Sequence, residues 1–294
     1  INLERLSGKV SVSYITDKVE PQIFSSVDIL LDGLFGSGLS RPAEGVYAAV
    51  ISQINDSSAE KIAIDIPSGL MADKPSEGTI VKADFTLSFQ VPKLAFFFPQ
   101  HHQFIGTWFL LDIGLHKEYL KQIETPHFYF LKKDVARLLK PRTKFDHKGK
   151  FGHALLIAGG YGKMGAAVLA SRAALRSGLG LLTTYIPKCG YNIMQGSVPE
   201  AMTMTDQHEL HLTAAPSLEN YSVVGIGPGL GQEKETVQAF RKILEATPPP
   251  MVIDADALNI LAANRELLQL IPPGSILTPH PKEFERLTGP WNDD

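Results

Sequence analysis

The sequence predicts an α/β protein built from two doubly wound domains, and three observations carry that prediction. Apolar runs recur at residues 10–15, 27–31, 61–66, 85–89 and 108–111. Three of them are near-continuous rather than alternating, as strands covered on both faces of a parallel sheet are. Between them, residues 44–54 place Val46, Ala49, Val50 and Ile54 at helical spacing, so strand and helix alternate. From Gly114 to about Lys150 the texture turns basic and apolar-poor, with Lys132, Lys133, Arg137, Lys140, Arg142, Lys144, Lys148 and Lys150 among Pro126 and Pro141.

Beyond that stretch the alternation restarts. Strands are expected at 153–157, 180–186, 222–226, 251–253 and 275–277, with helices at 165–177, 234–245, 257–263 and another beginning at 283–287. The division is therefore a first domain over residues 1–120, a connector over 121–150 with one short helix at 134–139, and a second domain over 151–294. The basic connector reads either as a solvated linker or as a place for an anion.

Composition narrows the function classes. A formal net charge of −3 gives no general nucleic-acid or membrane-surface signature. No segment approaches the ~20 apolar residues that span a bilayer, and no signal peptide is visible. The single cysteine, Cys189, excludes an intramolecular disulfide framework and suits a reducing compartment. Beside Gly190 at the end of an apolar run, it reads as inert.

In the first domain, Asp32-Gly33-Leu34-Phe35-Gly36-Ser37-Gly38-Leu39-Ser40-Arg41-Pro42 follows directly on a strand. An acid and a glycine-bearing turn at a strand's carboxyl end is where open α/β sheets place ligands. Glycines let backbone N–H groups approach an anion, and Arg41 could add charge. A tight turn without a ligand is the alternative. A second element, Ile64-Asp65-Ile66-Pro67-Ser68-Gly69-Leu70, also ends a strand. If the two strands are neighbours, Asp32, Asp65 and the Ser68 hydroxyl form an oxygen-rich pocket for a cation or a proton relay. An aspartate that merely caps a turn is the bland reading.

These two motifs, followed by Ala83-Asp84-Phe85-Thr86-Leu87-Ser88-Phe89 and Pro92-Lys93, resemble the NAD(P)HX epimerase family, an epimerase-type Rossmann-like fold. The resemblance runs from about Asp28 to Gly114. It implies that Asp32 and Ser68 hold a potassium ion and that Gly36, Ser37, Gly38, Leu39, Ser40, Arg41 and Pro42 bind substrate. It also implies that Asp65 binds substrate and acts as the acid–base residue. The family's GNNGGDG-type phosphate loop is not among these 294 residues and is expected upstream of Ile1.

In the second domain, Lys148-Gly149-Lys150-Phe151-Gly152-His153 leads into a strand ending at Ala158-Gly159-Gly160, and Gly162-Lys163-Met164-Gly165-Ala166-Ala167 opens a helix. Such a helix start attracts anions, although small residues there can also serve tight helix–sheet packing. The spacing is not that of a Walker A loop. Three further strand ends carry Gly225-Ile226-Gly227-Pro228-Gly229-Leu230-Gly231, Asp254-Ala255-Asp256-Ala257-Leu258, and Thr278-Pro279-His280-Pro281-Lys282-Glu283-Phe284. Taken alone, His280 is a turn residue; four such strand ends together point to one ligand edge.

This set resembles the ATP- or ADP-dependent NAD(P)HX dehydratases of the ribokinase-like superfamily, over about Pro141 to Leu287. It implies that Ala166, Gly229, His280, Pro281, Lys282, Glu283, Phe284, Glu285 and Arg286 contact the hydrated nicotinamide nucleotide. The family's nucleotide loop and its Gly-Thr-Gly-Asp anion hole are expected beyond Asp294, and Asp254 and Asp256 are not assigned the catalytic role. Together the resemblances imply epimerisation of R- and S-NAD(P)HX and ATP- or ADP-dependent dehydration of the S form. They imply potassium in the first half, magnesium with ATP or ADP in the second, no nucleic-acid or membrane partner, and a cytoplasmic homo-oligomer. The start at Ile1 and the stop at Asp294 read as a fragment, a processed product or an incomplete record. A small-molecule kinase of the ribokinase-like class and a non-catalytic nucleotide-binding module remain as alternatives.

Overall fold

Apolar runs in both halves of the chain pair as parallel strands, in two compact units spanning Ile1–Leu139 and Lys140–Asp294. A computed structural model describes residues 4, 5, 8–16, 19, 24, 26–139 and 141–290.

In the first unit, β1 (Ile29–Asp32), β2 (Glu60–Ile64), β3 (Phe85–Phe89) and β4 (Thr107–Leu111) lie side by side in chain order, every pair parallel. The expected strand at residues 10–15 does not form: residues 11–16 have no regular structure, and Val10, Val12, Tyr14 and Ile15 are exposed. A short apolar run makes a strand only when a neighbouring strand accepts its ladder. Helix α1 (Gly45–Asp56) buries Val50, Ile51 and Ile54 against Leu30 and Ala63. A second cluster, Ile66, Leu70, Ile80, Phe96 and Ile105, packs under the loops that leave β2 and β3. The other sheet face is apolar and open among the described residues, with Ile29 and Leu31 57% and 63% exposed. Further along, α2 (Lys117–Gln122) and α3 (Lys132–Leu138) are short and carry no buried side chain.

The second unit has six parallel strands: β5 (His153–Ile157), β6 (Leu181–Ile186), β7 (Met202–Thr205), β8 (Val223–Ile226), β9 (Met251–Ile253) and β10 (Ile276–Leu277). Their order is β10-β9-β8-β5-β6-β7. Along β5 the side chains alternate between two cores. Leu155 and Ile157 join Val224, Phe240, Ile243 and Leu258 on one face. Ala154 and Leu156 join Met164, Ala167, Leu182 and Met194 on the other. Helices α4 (Met164–Arg176) and α5 (Tyr191–Ser197) supply the second core, while α6 (Lys234–Glu245) and α7 (Asp256–Ala263) supply the first. The chain leaves β5 towards β6 and β7, then returns to the other side of β5 for β8 to β10. That reversal opens a crevice at the carboxyl ends of β5 and β8.

Candidate functional site

The carboxyl edge of the first sheet gathers the expected residues because β1 and β2 are direct neighbours, ~5 Å apart. Asp32 ends β1 and is 1% exposed. Its Oδ2 accepts the Ser68 N–H at 2.7 Å and its Oδ1 the Leu34 N–H at 3.3 Å. Burial pushes the Asp32 carboxyl above the usual range, although the bonds from Ser68 and Leu34 draw it back. Ser68, fully buried, accepts the Phe35 N–H on Oγ at 2.9 Å. The structure thus brings Asp32 and Ser68 into contact. A buried carboxylate partnered by dipoles alone, next to a hydroxyl oxygen, offers a monovalent cation two hard donors and lacks only positive charge.

Asp65 follows β2 in the left-handed region, with φ +70°. A non-glycine residue there costs about 1 kcal/mol or more unless its surroundings hold it. They do so here: its N–H donates to Leu87 O at 2.8 Å, and its Oδ1 accepts the Phe89 N–H at 3.1 Å. The same Oδ1 meets Lys93 Nζ at 2.7 Å. The sequence places Lys93 within a motif but gives it no role, because a lysine four residues past a strand carries no pairing signal of its own. Gly36 to Pro42 form the exposed loop from β1 to α1, closed by a Leu39 N–H to Gly36 O bond of 3.4 Å. Lys74 Nζ reaches Ser40 O at 3.4 Å.

In the second unit, the crevice brings Gly229 and Ala166 together. Gly229 has φ +68°, and a Cβ placed on it would lie 2.9 Å from Lys163 O and 3.2 Å from the Ala166 Cβ. Only glycine serves there. The two loops are stitched by Gly159 N–H to Pro228 O, 2.8 Å, and Gly227 N–H to Ile157 O, 3.1 Å. Asp256 has a scaffold role: its Oδ2 accepts the Gly231 N–H at 2.8 Å and meets Lys163 Nζ at 3.3 Å. It ties together the loops after β5, β8 and β9.

His280 follows β10, two strands from β8 in the sheet. It caps α8 (Pro281–Thr288), its Nδ1 accepting the Lys282 N–H at 3.2 Å while its own N–H donates to Glu283 Oε2 at 3.0 Å. Pro281, Lys282 and Glu283 form the first turn of α8, and Glu283 is 5% exposed. Phe284 and Glu285 follow on the helix, and Arg286 donates to Asn259 Oδ1 at 2.6 Å. The prolines and Glu283 in this motif therefore have a local cause, helix initiation.

One buried acid escaped the sequence reading. Asp206, just past β7 and 2% exposed, accepts from Tyr185 OH, the His208 and Thr213 N–H groups and Thr213 Oγ1, each at 2.8 Å, and from the Ala214 N–H at 3.0 Å. Burial alone would raise its carboxyl, but these donors overcome it and pull the carboxyl down to about 2. The loop it organises returns to the crevice, where Tyr161 N–H donates to Leu210 O at 2.8 Å. The available signal was Met202-Thr203-Met204-Thr205-Asp206, a short run ending in an acid, as Leu31-Asp32 and Ile253-Asp254 do.

Among the described residues no three His, Cys, Asp or Glu side chains gather as metal ligands. No helix among the described residues is long and apolar enough to cross a membrane.

Residues 1–95 match the family described as YjeF-related protein N-terminus, and residues 154–293 match that described as NAD(P)H-hydrate dehydratase. The bifunctional NAD(P)H-hydrate repair enzyme Nnr of Moorella thermoacetica is 36% identical over 274 residues, 89% of this chain and 51% of that protein. The enzyme of the same name from Coxiella burnetii is 36% identical over 276 residues, 92% of this chain and 54% of that protein. The one from Escherichia coli is 35% identical over 266 residues, 90% of this chain and 50% of that protein. The chain thus spans about half the length of these curated relatives. Among solved structures, the ADP/ATP-dependent NAD(P)H-hydrate dehydratase of Bacillus subtilis, co-crystallised with ATP and Mg2+, is 36% identical at a TM-score of 0.42. That match covers 53% of this chain and 54% of the bacterial one. By the two family matches, residues 1–95 are similar to the YjeF-related N-terminal family and residues 154–293 to the NAD(P)H-hydrate dehydratase family.

Proposed function

We propose that this chain supplies parts of two sites that repair hydrated nicotinamide nucleotides: an epimerase site in the first unit and a dehydratase site in the second. The observation that carries this reading is the convergence of Asp32, Ser68 and Asp65 on one sheet edge, with Asp32 bonded to Ser68 across 36 residues. A small-molecule kinase has no use for that second edge.

NAD(P)HX carries a hydroxyl on C6 of its reduced ring, beside N1. In the first unit Asp65 moves the proton that inversion at C6 requires, and the loop from Gly36 to Pro42 binds the nucleotide. Asp32 and Ser68 hold potassium, which when bound supplies the positive charge that the buried carboxylate lacks. In the second unit Ala166, Gly229 and the stretch from His280 to Arg286 hold S-NAD(P)HX while the C6 hydroxyl takes a phosphoryl group from ATP or ADP. Phosphate then departs as the C6–O bond breaks and C5 loses a proton, which restores the C5=C6 bond of NAD(P)H. Magnesium accompanies the nucleotide. The same reading makes the protein a cytoplasmic homo-oligomer, which light scattering on the purified protein checks.

The test supplies purified S-NADHX with magnesium and either nucleotide and follows the near-ultraviolet absorbance of the reduced nicotinamide. Recovery is expected with at least one nucleotide. R-NADHX should recover as well, faster than it epimerises unaided. Absence of recovery from either epimer overturns the assignment.

A further inference from the structure

The pairing of Asp65 with Lys93 extends this reading, on which the inference rests. Both side chains are nearly buried, 14% and 12% exposed, and their charged atoms lie 2.7 Å apart. Lys93 Nζ also donates to Phe89 O at 3.2 Å, Ser88 Oγ at 3.3 Å and Val91 O at 3.4 Å. An ammonium has three N–H donors, and here four acceptors surround it. None is left over for a substrate phosphate, so Lys93 is not built as an anion ligand.

The carboxylate of Asp65 is held asymmetrically. Oδ1 takes both the Lys93 ammonium and the Phe89 N–H. Oδ2 takes no hydrogen bond from the described residues. The backbone beneath is fixed in a costly conformation at Asp65, and the turn that carries Lys93 is fixed likewise, with Gln90 at φ +62°. The strained residue Asp65 and the strained turn at Gln90, on adjacent strand ends, are joined through the Asp65–Lys93 ion pair, which leaves Oδ2 as the free oxygen.

We propose that Lys93 is the positioning residue of the epimerase site: it clamps Oδ1 so that Oδ2 of Asp65 is the oxygen that exchanges the proton. As C6–N1 breaks and C6=O forms, the hydroxyl proton passes through Oδ2 to N1. Closure on the opposite face of C6 reverses the same transfers, so Asp65 ends each cycle ionised and paired. A misdirected carboxylate still admits substrate but transfers the proton poorly.

The test compares Lys93→Met, Lys93→Arg and Asp65→Asn in the full-length protein, with R and S epimers separated by chromatography. Lys93→Met should lower kcat for interconversion about 100-fold, with KM changed by no more than about threefold. Lys93→Arg, which keeps the charge, should recover about tenfold or more of that loss. A Lys93→Met enzyme with wild-type kcat, or one impaired in KM alone, overturns the role while leaving the functional reading intact. A wild-type protein inert towards both epimers overturns the functional reading, and Asp65→Asn epimerising at the wild-type rate removes Asp65, and Lys93 with it, from the reaction. Should Lys93→Met not fold, Lys93→Gln carries the same expectation and the same outcomes.

Discussion

Asp32 and Asp206 are both buried aspartates at the carboxyl ends of parallel strands, yet their surroundings are opposite. Asp206 accepts five hydrogen bonds, from a hydroxyl on the next strand and from its own loop, and its carboxyl is pulled down to about 2. Asp32 accepts two backbone bonds, from Ser68 and Leu34, with the Ser68 hydroxyl beside it, and burial prevails in raising it. A carboxylate has about four lone-pair positions. When the chain fills them, the acid is scaffold; when it leaves them open in a dry place, the acid waits for charge from outside. The presence of an acid at a strand end therefore does not mark a ligand site; its unmet demand does.

Removing the saturated acid should have the largest effect. Asp206→Ala strands Tyr185 OH, Thr213 Oγ1 and three backbone N–H groups, and should cost the second unit about 3 kcal/mol. Calorimetry should show a melting temperature lower by roughly 10 °C for a unit of this size. Asp32→Ala strands fewer donors and relieves a charge that burial disfavours, so its cost should be smaller, about 1 kcal/mol. Equal losses would break the comparison.

These differences also mark what the sequence could convey. The apolar runs and glycine turns located β1 to β6 and β8 to β10 because buried parallel strands must be apolar on both faces and strand ends must turn. Asp32 and Asp65 were legible because each ends such a run. Strand β7 was not: Met202-Thr203-Met204-Thr205 alternates weakly at a sheet edge and lacks a continuous apolar core, so its acid escaped with it. Lys93 was hidden for a different reason. Its partner lies 28 positions away in sequence, and only the β2–β3 pairing reveals that Asp65 and Phe89 are neighbours. The strand at 10–15 was over-read from local pattern, which specifies burial but not a partner.

Acid should separate the two aspartates by sign. Asp206 sits below its unfolded value, so its stabilisation is full above pH ~4 and is lost as pH falls towards about 2, a contribution of about 2 kcal/mol. Asp32 is raised, so its contribution is present below the unfolded value and lost as pH rises through the folded one. Hydrogen exchange read unit by unit between pH 5 and 2.5 should show amides of residues 206–214 losing protection before those of residues 29–35. The reverse order would show that Asp206 is not the acid-labile tie.

A further effect tests the unmet demand directly. If Asp32 lacks only positive charge, potassium should supply it and stabilise the folded first unit by mass action. At ten times its dissociation constant a bound ion adds about 1.4 kcal/mol, enough to raise that unit's melting temperature by a few degrees. Replacing potassium with a bulky organic cation at constant ionic strength should abolish the gain, because screening is unchanged but the larger ion cannot approach the buried Asp32 and Ser68 oxygens. Asp32→Asn should lose the gain while Asp206→Asn keeps it, since Asp206 has no lone pair to spare. A potassium gain undiminished in Asp32→Asn would place the cation elsewhere and remove the reason for calling Asp32 open.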